Sequence, residues 1–291
     1  MELIIARTAG FCMGVDMALH KLDGALADPP SQGRIRTLGP LIHNPQVLER
    51  YQAQGVLQAG NAEDLQPGDV VVIRAHGIPK DTQAELLDRK AVLIDATCPK
   101  VKKAQILIHR QAEQGKHLLL FGERDHPEVR GLISYAPEHT VFENQDELTA
   151  VKFLPDKSYF LAAQTTQDRD VFMEVRDWLC ANLSPDITVL DTICNATKDR
   201  QEEVRLLAGS VEAMIVVGGK NSGNTRRLAQ IAQECGVFAT HVETADELPL
   251  EELAKYPRMG LTAGASTPAW IIEDVVQTLC RRFGCESRSN E

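Results

Sequence analysis

The sequence has no run of about 18 apolar residues, so no transmembrane helix is expected and a membrane role is set aside. Its first segment, MELIIARTAGFC, lacks a basic n-region and a small-residue cleavage site, so no secretory signal is expected. Basic charge is also scarce. The 31 Lys and Arg against 41 Asp and Glu leave a net charge of −10, which argues against non-specific nucleic-acid binding. The seven cysteines include no C-x2-C pair. Their odd number and wide scatter exclude a small secreted disulfide scaffold and point to a reducing cytoplasm. No Walker, flavin or nicotinamide fingerprint is present. What remains, at 43% hydrophobic and 25% charged residues, is a globular chain long enough for an ample core.

Against these absences stands a threefold repeat. Cys12 follows LIIARTAG, Cys98 follows VLIDAT and Cys194 follows ITVLDTI. Each is a short apolar run read as a strand, with a helical pattern beyond it. The successive spacings are 86 and 96 residues. A second set of runs, RIRTLG, HLLLFG and AMIVVGG, leads into loops holding His43, His126 and the Ser222/Asn224 pair. A third set, VVVIRAHGIPK, YFLAAQTTQD and MGLTAGASTPA, carries His76, Thr165 and Ser266. An acidic-leucine turn recurs as Ala62-Glu63-Asp64-Leu65, Gln145-Asp146-Glu147-Leu148 and Ala245-Asp246-Glu247-Leu248.

A period this long is domain-sized. It predicts an α/β fold of three similar small domains with mainly parallel sheets, over 14–97, 98–193 and 1–13 plus 194–285, with 286–291 as a polar tail. Ligands of such sheets bind beyond the carboxyl ends of the strands, so three strand-end loops per repeat are expected to face a shared site.

Three thiolates at one such site indicate a metal or an iron–sulfur cluster. They satisfy three irons of a [4Fe–4S] cubane and leave one open to a substrate oxygen, as an open zinc site takes water. A structural zinc with one histidine is the alternative, and the absent C-x2-C spacing speaks against it. Cys180, Cys235 and Cys280 end helical runs and read as small buried hydrophobes, with Cys285 beside the last as a possible partner for Cys280.

Other loops suit an anion. Lys220-Asn221-Ser222-Gly223-Asn224-Thr225 and Gly264-Ala265-Ser266-Thr267-Pro268 combine small residues, hydroxyls and helix starts, which cradle phosphate or serve only as helix caps. His43 and His76 add donors suited to a diphosphate. Glu128, in His126-Pro127-Glu128, is a candidate proton source or a plain helix-start carboxylate. Thr165 and Thr166 are a hydroxyl relay or a cap.

Taken in order, GFCMGVD, LIHNP, AHG, DATCP, DHPEV, QTT, ICNATKDRQ, KNSGN and TAGAS resemble the motifs of the IspH/LytB family, the 4-hydroxy-3-methylbut-2-enyl diphosphate reductases. The resemblance runs from about residue 10 to residue 280. It implies a trefoil of three α/β domains around a central cluster, and reductive dehydroxylation of the allylic diphosphate to isopentenyl and dimethylallyl diphosphate. By the same resemblance, Cys12, Cys98 and Cys194 hold one [4Fe–4S] cluster with an open iron. His43, His76, Ser222, Asn224 and Ser266 bind the diphosphate, with His126 beside them. Glu128 and Thr165 deliver protons, and Thr197 lies close to the substrate. A ferredoxin or flavodoxin is implied as electron donor. An iron–sulfur hydratase and a zinc-stabilised binding protein remain the alternatives. Two departures stand out: Gly223 replaces a second serine of many relatives, and Asn195 replaces a tyrosine of some.

Overall fold

A computed structural model describes residues 1–284 and 286–290, so Cys285, and with it the pairing considered for Cys280, lies outside the described residues. In chain order the first elements are β1 (Glu2–Ile5), α1 (Met13–Ala27), β2 (Ile35–Leu38), α2 (Pro45–Ala53), β3 (Leu57–Ala59), β4 (Val70–Ile73), α3 (Lys80–Asp88) and β5 (Val92–Asp95). Next come α4 (Pro99–Ala112), β6 (His117–Phe121), α5 (Pro127–Ile133), β7 (His139–Phe142), α6 (Gln145–Thr149), β8 (Tyr159–Ala163), α7 (Arg169–Asn182) and β9 (Thr188–Val189). The last third holds α8 (Asn195–Ala208), β10 (Ala213–Val217), α9 (Gly223–Glu234), β11 (Phe238–Val242), α10 (Leu250–Leu253), β12 (Arg258–Ala263), α11 (Ala269–Phe283) and β13 (Glu286–Ser289). Among the described residues, no helix is long and apolar enough to cross a membrane.

The strands form three sheets in the orders β3-β2-β4-β5, β7-β6-β8-β9 and β11-β10-β12-β1-β13, and every pairing is parallel. The repeat is therefore topological as well as sequential. In the third sheet β1, from the opposite end of the chain, takes the position that β5 and β9 hold in the others. Parallel sheets carry helices on both faces, so their central strands read as unbroken apolar runs. That is the pattern of β4 (VVVI), β8 (YFLAA) and β10 (AMIVV), in which every residue is buried.

Two compact units emerge. One comprises Met1–Val15, His43–Glu49 and the chain from Asn195 onward, and contains the five-stranded sheet. The other comprises Asp16–Ile42 and Arg50–Cys194, and contains both four-stranded sheets. Within this second unit the two sheets are joined where Gly131 of α5 lies against the His76 and Ile78 carbonyls and Lys80 N donates to Ser134 Oγ (3.2 Å).

Two features differ from the sequence reading. Each sheet has an extra edge strand (β3, β7 or β11) leading into the acidic-leucine turn. That turn is a structural cap: Asp64 Oδ2 accepts from Gly60 N, Glu147 Oε2 from Glu143 N and Glu247 Oε2 from Glu243 N, while Leu65, Leu148 and Leu248 are buried. The expected polar tail instead contains a strand, β13, paired along β1 from Glu2↔Glu286 to Ile5↔Ser289. An edge strand offers backbone donors and acceptors whatever side chains approach it. Here Arg288–Glu2 (2.6 Å) and Asn290 N to Ile5 O (2.8 Å) hold the polar segment in place.

The first sheet depends on one buried carboxylate. Asp69 accepts from Arg34 N (2.8 Å), Gln66 N (2.9 Å) and Arg36 Nε (2.6 Å). Burial pushes its pKa up, but these bonds outweigh burial and hold it below 3.8. Its stabilisation is therefore complete above that pH and lost as pH falls below it. Asp69→Ala is expected to cost about 3 kcal/mol, because it strands a half-buried guanidinium and two amides; urea unfolding at neutral pH checks this.

Candidate active site

The three cysteines occupy equivalent positions. Each is the residue immediately before a helix: Cys12 before α1, Cys98 before α4 and Cys194 before α8. Exposed N–H groups at a helix start favour negative charge there. Each cysteine N–H donates to a carbonyl in the loop after the neighbouring strand: Cys12 to Ala265 (3.1 Å), Cys98 to Ala75 (2.9 Å) and Cys194 to Thr165 (3.0 Å). All three are half-buried, and none is in a disulfide among the described residues. Of the other cysteines, Cys180 and Cys280 are partly buried on α7 and α11. Cys235, read from the sequence as buried, is exposed because it caps the end of α9, where Gly236 (φ +82°) turns the chain away.

In the second unit the structure brings together His126, Glu128, Thr165 and the Cys194 backbone. Glu128 is 1% exposed in the first turn of α5. Thr165 N donates to its Oε1 (2.6 Å) and Thr165 Oγ1 to its Oε2 (2.8 Å). Burial pushes the Glu128 pKa up and Glu123 adds to this; the Thr165 bonds offset part of it and leave it at about 7. Thr165 thus holds the carboxyl with its amide and hydroxyl, and Cys194 with its carbonyl. His126 caps α5, its Nδ1 accepting from Glu128 N (3.1 Å), so the neutral ring carries its proton on Nε2. The His76 ring stands edge-on to it, with centroids 5.3 Å apart.

In the first unit Ser222 caps α9, its Oγ accepting from Thr225 N (3.3 Å), with Gly223 and Asn224 buried in the first turn. Capping and anion binding are compatible here, since the Ser222 hydroxyl proton is not used by the cap. Asn224 Nδ2 is buried and has no hydrogen-bond partner among the described residues. Ser266 Oγ donates to the His43 carbonyl (3.0 Å), and a Cβ on Gly219 would lie 2.4 Å from that same oxygen. Glycine at 219 is what lets the His43 loop sit this close. Thr197 is buried in the first turn of α8.

Several contributors carry no obvious sequence signal. On α8, Arg200 Nη2 donates to Gly10 O (2.8 Å), and Glu203 accepts from Arg7 N (2.8 Å), Thr8 N (2.9 Å) and Thr8 Oγ1 (2.6 Å). Together they clamp the loop that carries Cys12. Arg74, beside His76, forms no ion pair among the described residues, and burial together with Arg130 lowers its pKa to about 10. Thr166 was legible. The turns Arg74–Gly77, Gln164–Gln167 and Gly264–Thr267 close with the same amide-to-carbonyl bond, so Thr166, rather than Thr165, stands where His76 and Ser266 stand.

These features define a class: a parallel α/β protein of three repeated sheets, each offering one cysteine at a helix start beside polar strand-end loops. The chain belongs to the LytB protein family, whose family model it matches over residues 3–280. It is 54% identical over 284 residues to the 4-hydroxy-3-methylbut-2-enyl diphosphate reductase of Solidesulfovibrio magneticus, covering 96% of this chain and 99% of the relative. It is 41% identical over 287 residues to the Aquifex aeolicus protein of the same name, covering 96% and 97%. Among solved structures, the E-1-hydroxy-2-methyl-but-2-enyl-4-diphosphate reductase of Plasmodium falciparum superposes with a TM-score of 0.93 at 25% identity, covering 99% of this chain and 92% of that one. A structure of (E)-4-hydroxy-3-methyl-but-2-enyl diphosphate reductase, described as the terminal enzyme of the non-mevalonate pathway, matches at 40% identity with a TM-score of 0.69, covering 97% and 100%.

Because the folded Glu128 pKa exceeds 4.5, its ionisation opposes folding as pH rises from 4.5 through about 7. Urea midpoints are expected to fall between pH 6 and pH 8, and Glu128→Gln is expected to flatten that fall. Thr165→Val removes the hydroxyl bond that favours the carboxylate, so the Glu128 titration moves to higher pH, as read by NMR of carboxyl-labelled glutamate.

Proposed function

We propose that the chain reduces 4-hydroxy-3-methylbut-2-enyl diphosphate to isopentenyl and dimethylallyl diphosphate, the terminal step of non-mevalonate isoprenoid formation. Full-length relatives bearing that activity in their names support the reading. The observation that carries it is the Thr165 bridge between the buried Glu128 carboxyl and the backbone of Cys194. The reaction breaks the allylic C–O bond, takes up two electrons and two protons, and releases water; one proton joins the leaving oxygen and the other a carbon.

Cys12, Cys98 and Cys194 would hold one [4Fe–4S] cluster. The donor set fits: three half-buried cysteines, one at the same point of each repeat. When bound, such a cluster supplies electrons and an iron that polarises the substrate hydroxyl. The chain's own residues do the rest. Glu128, half-protonated near neutral pH, keeps a proton in a dry pocket, and the Thr165 hydroxyl passes it toward the leaving oxygen. His126, with its proton on Nε2, presents a donor. His43, His76, Ser222, Gly223, Asn224 and Ser266 bind the diphosphate, and the unpartnered Asn224 Nδ2 is a donor suited to a phosphate oxygen. Thr197 lies toward the substrate. A ferredoxin or flavodoxin in the cytoplasm delivers the electrons.

Anaerobic incubation with the substrate and dithionite-reduced methyl viologen tests the reading. Isoprenoid diphosphates should form only when reductant is present. Product without reductant, or none at all in cluster-loaded protein, would overturn it. Glu128→Gln is expected to keep the cluster spectrum and substrate affinity while losing turnover by about 10²-fold or more.

A further inference from the structure

We propose that a basic hollow between α1 and α4, next to Cys98, is the docking surface for a small acidic electron-carrier protein. This rests on the reductase reading above and gives the electrons a point of entry. The hollow lies wholly in the second unit and includes Met17 and Lys21 on α1, Thr97 and Pro99 flanking Cys98, and Lys102, Lys103, Ile106 and Arg110 on α4. Positions 99, 102, 103, 106 and 110 recur at helical spacing, so they form one exposed stripe along α4.

Its charge runs against that of the molecule. The chain carries a net charge of −10, yet this lining holds Lys21, Lys102, Lys103 and Arg110 against the single acid Asp95. Asp95 also fixes part of the patch: its carboxylate pairs with Lys102, and its carbonyl accepts from Lys21 Nζ. Lys103 and Arg110 have no ion pair among the described residues, so their charge is left to act outward. At the centre, Ile106 is 52% exposed, an apolar side chain ringed by cations. An apolar centre with a rim of one charge is the form of a transient interface, in which charge steers the encounter and a small contact area permits release.

Position supplies the second argument. Cys98 lies between two lining residues, Thr97 and Pro99, so a carrier covering the hollow comes within one residue of a proposed cluster ligand. Electron transfer falls off steeply with distance, and an acidic partner seated here has a short path.

The test uses the cluster-loaded protein under anaerobic conditions, a net-negative bacterial ferredoxin, and the double variant Lys103→Glu/Arg110→Glu. Ferredoxin affinity, measured directly by calorimetry at low ionic strength, is expected to fall about tenfold or more in the variant, and KM for reduced ferredoxin to rise in step. Added salt should weaken binding to the wild type and leave the variant little changed. Turnover with reduced methyl viologen should be equal in both proteins. Unaltered ferredoxin affinity in the variant, or wild-type affinity insensitive to salt, would overturn the docking surface. Absence of viologen-driven product in both proteins would count against the reductase reading alone, because the calorimetry judges the surface independently of turnover.

Discussion

One backbone hydrogen bond, made three times, orders the strand-end loops of this protein. The N–H of each repeat's cysteine is tied to the carbonyl of Ala265, Ala75 or Thr165, each in the loop leaving an adjacent strand. The bond costs the side chains nothing: the thiol stays available, and the loop beside it is brought into fixed register. Because the parallel sheets put all of these loops at the carboxyl ends of their strands, the bond turns a general property of α/β folds into a particular one. Every thiol has a defined polar neighbour.

What that neighbour is differs between repeats. In the repeat with Cys194 the neighbour is Thr165, whose remaining polar groups are committed to a buried glutamate. In the repeat with Cys12 it is Ala265, followed by a serine that braces the His43 carbonyl. In the repeat with Cys98 it is Ala75, followed by His76 and preceded by the Arg74 guanidinium, whose pKa burial and Arg130 lower. One scaffold repeated three times thus sets each cysteine backbone against a loop of different chemistry: one reaching an acid, one carrying a hydroxyl and one flanked by a cation. Divergence has acted on the loops while the strand order stayed constant, with β1 completing the third copy.

The strands that line the cores were legible because parallel sheets buried on both faces require unbroken apolar runs, and β4, β6, β8, β10 and β12 supply them. The edge strands β3, β7 and β11 were not, since half-exposed segments such as Leu57–Ala59 have no such signature. β13 was hidden for a deeper reason: it is held by backbone pairing and by Arg288 and Asn290, none of which an apolar pattern reports. At the candidate site, the residue types expected to do chemistry were read from their repeated spacing. Their supports were not. Arg200 and Glu203 look like any charged pair on an exposed helix face, and only the fold reveals that both reach the loop carrying Cys12. Thr166 was named beside Thr165, and aligning AHG, TTQ and AST, which share one turn, gives it the position of His76 and Ser266.

The placement of β1 has a consequence for the order in which the molecule is made. β5 and β9 emerge just after the strands they pair with, so those two sheets can close while synthesis continues. β1 is made first, yet its partners are β12 and β13, more than two hundred residues later. Until then it has no sheet to join, and the loop bearing Cys12 has neither its Ala265 acceptor nor the Arg200 and Glu203 clamp. The earliest cysteine in the chain is therefore the last of the three to acquire its native surroundings, and any group that needs all three thiols must wait until β12 and β13 have been made.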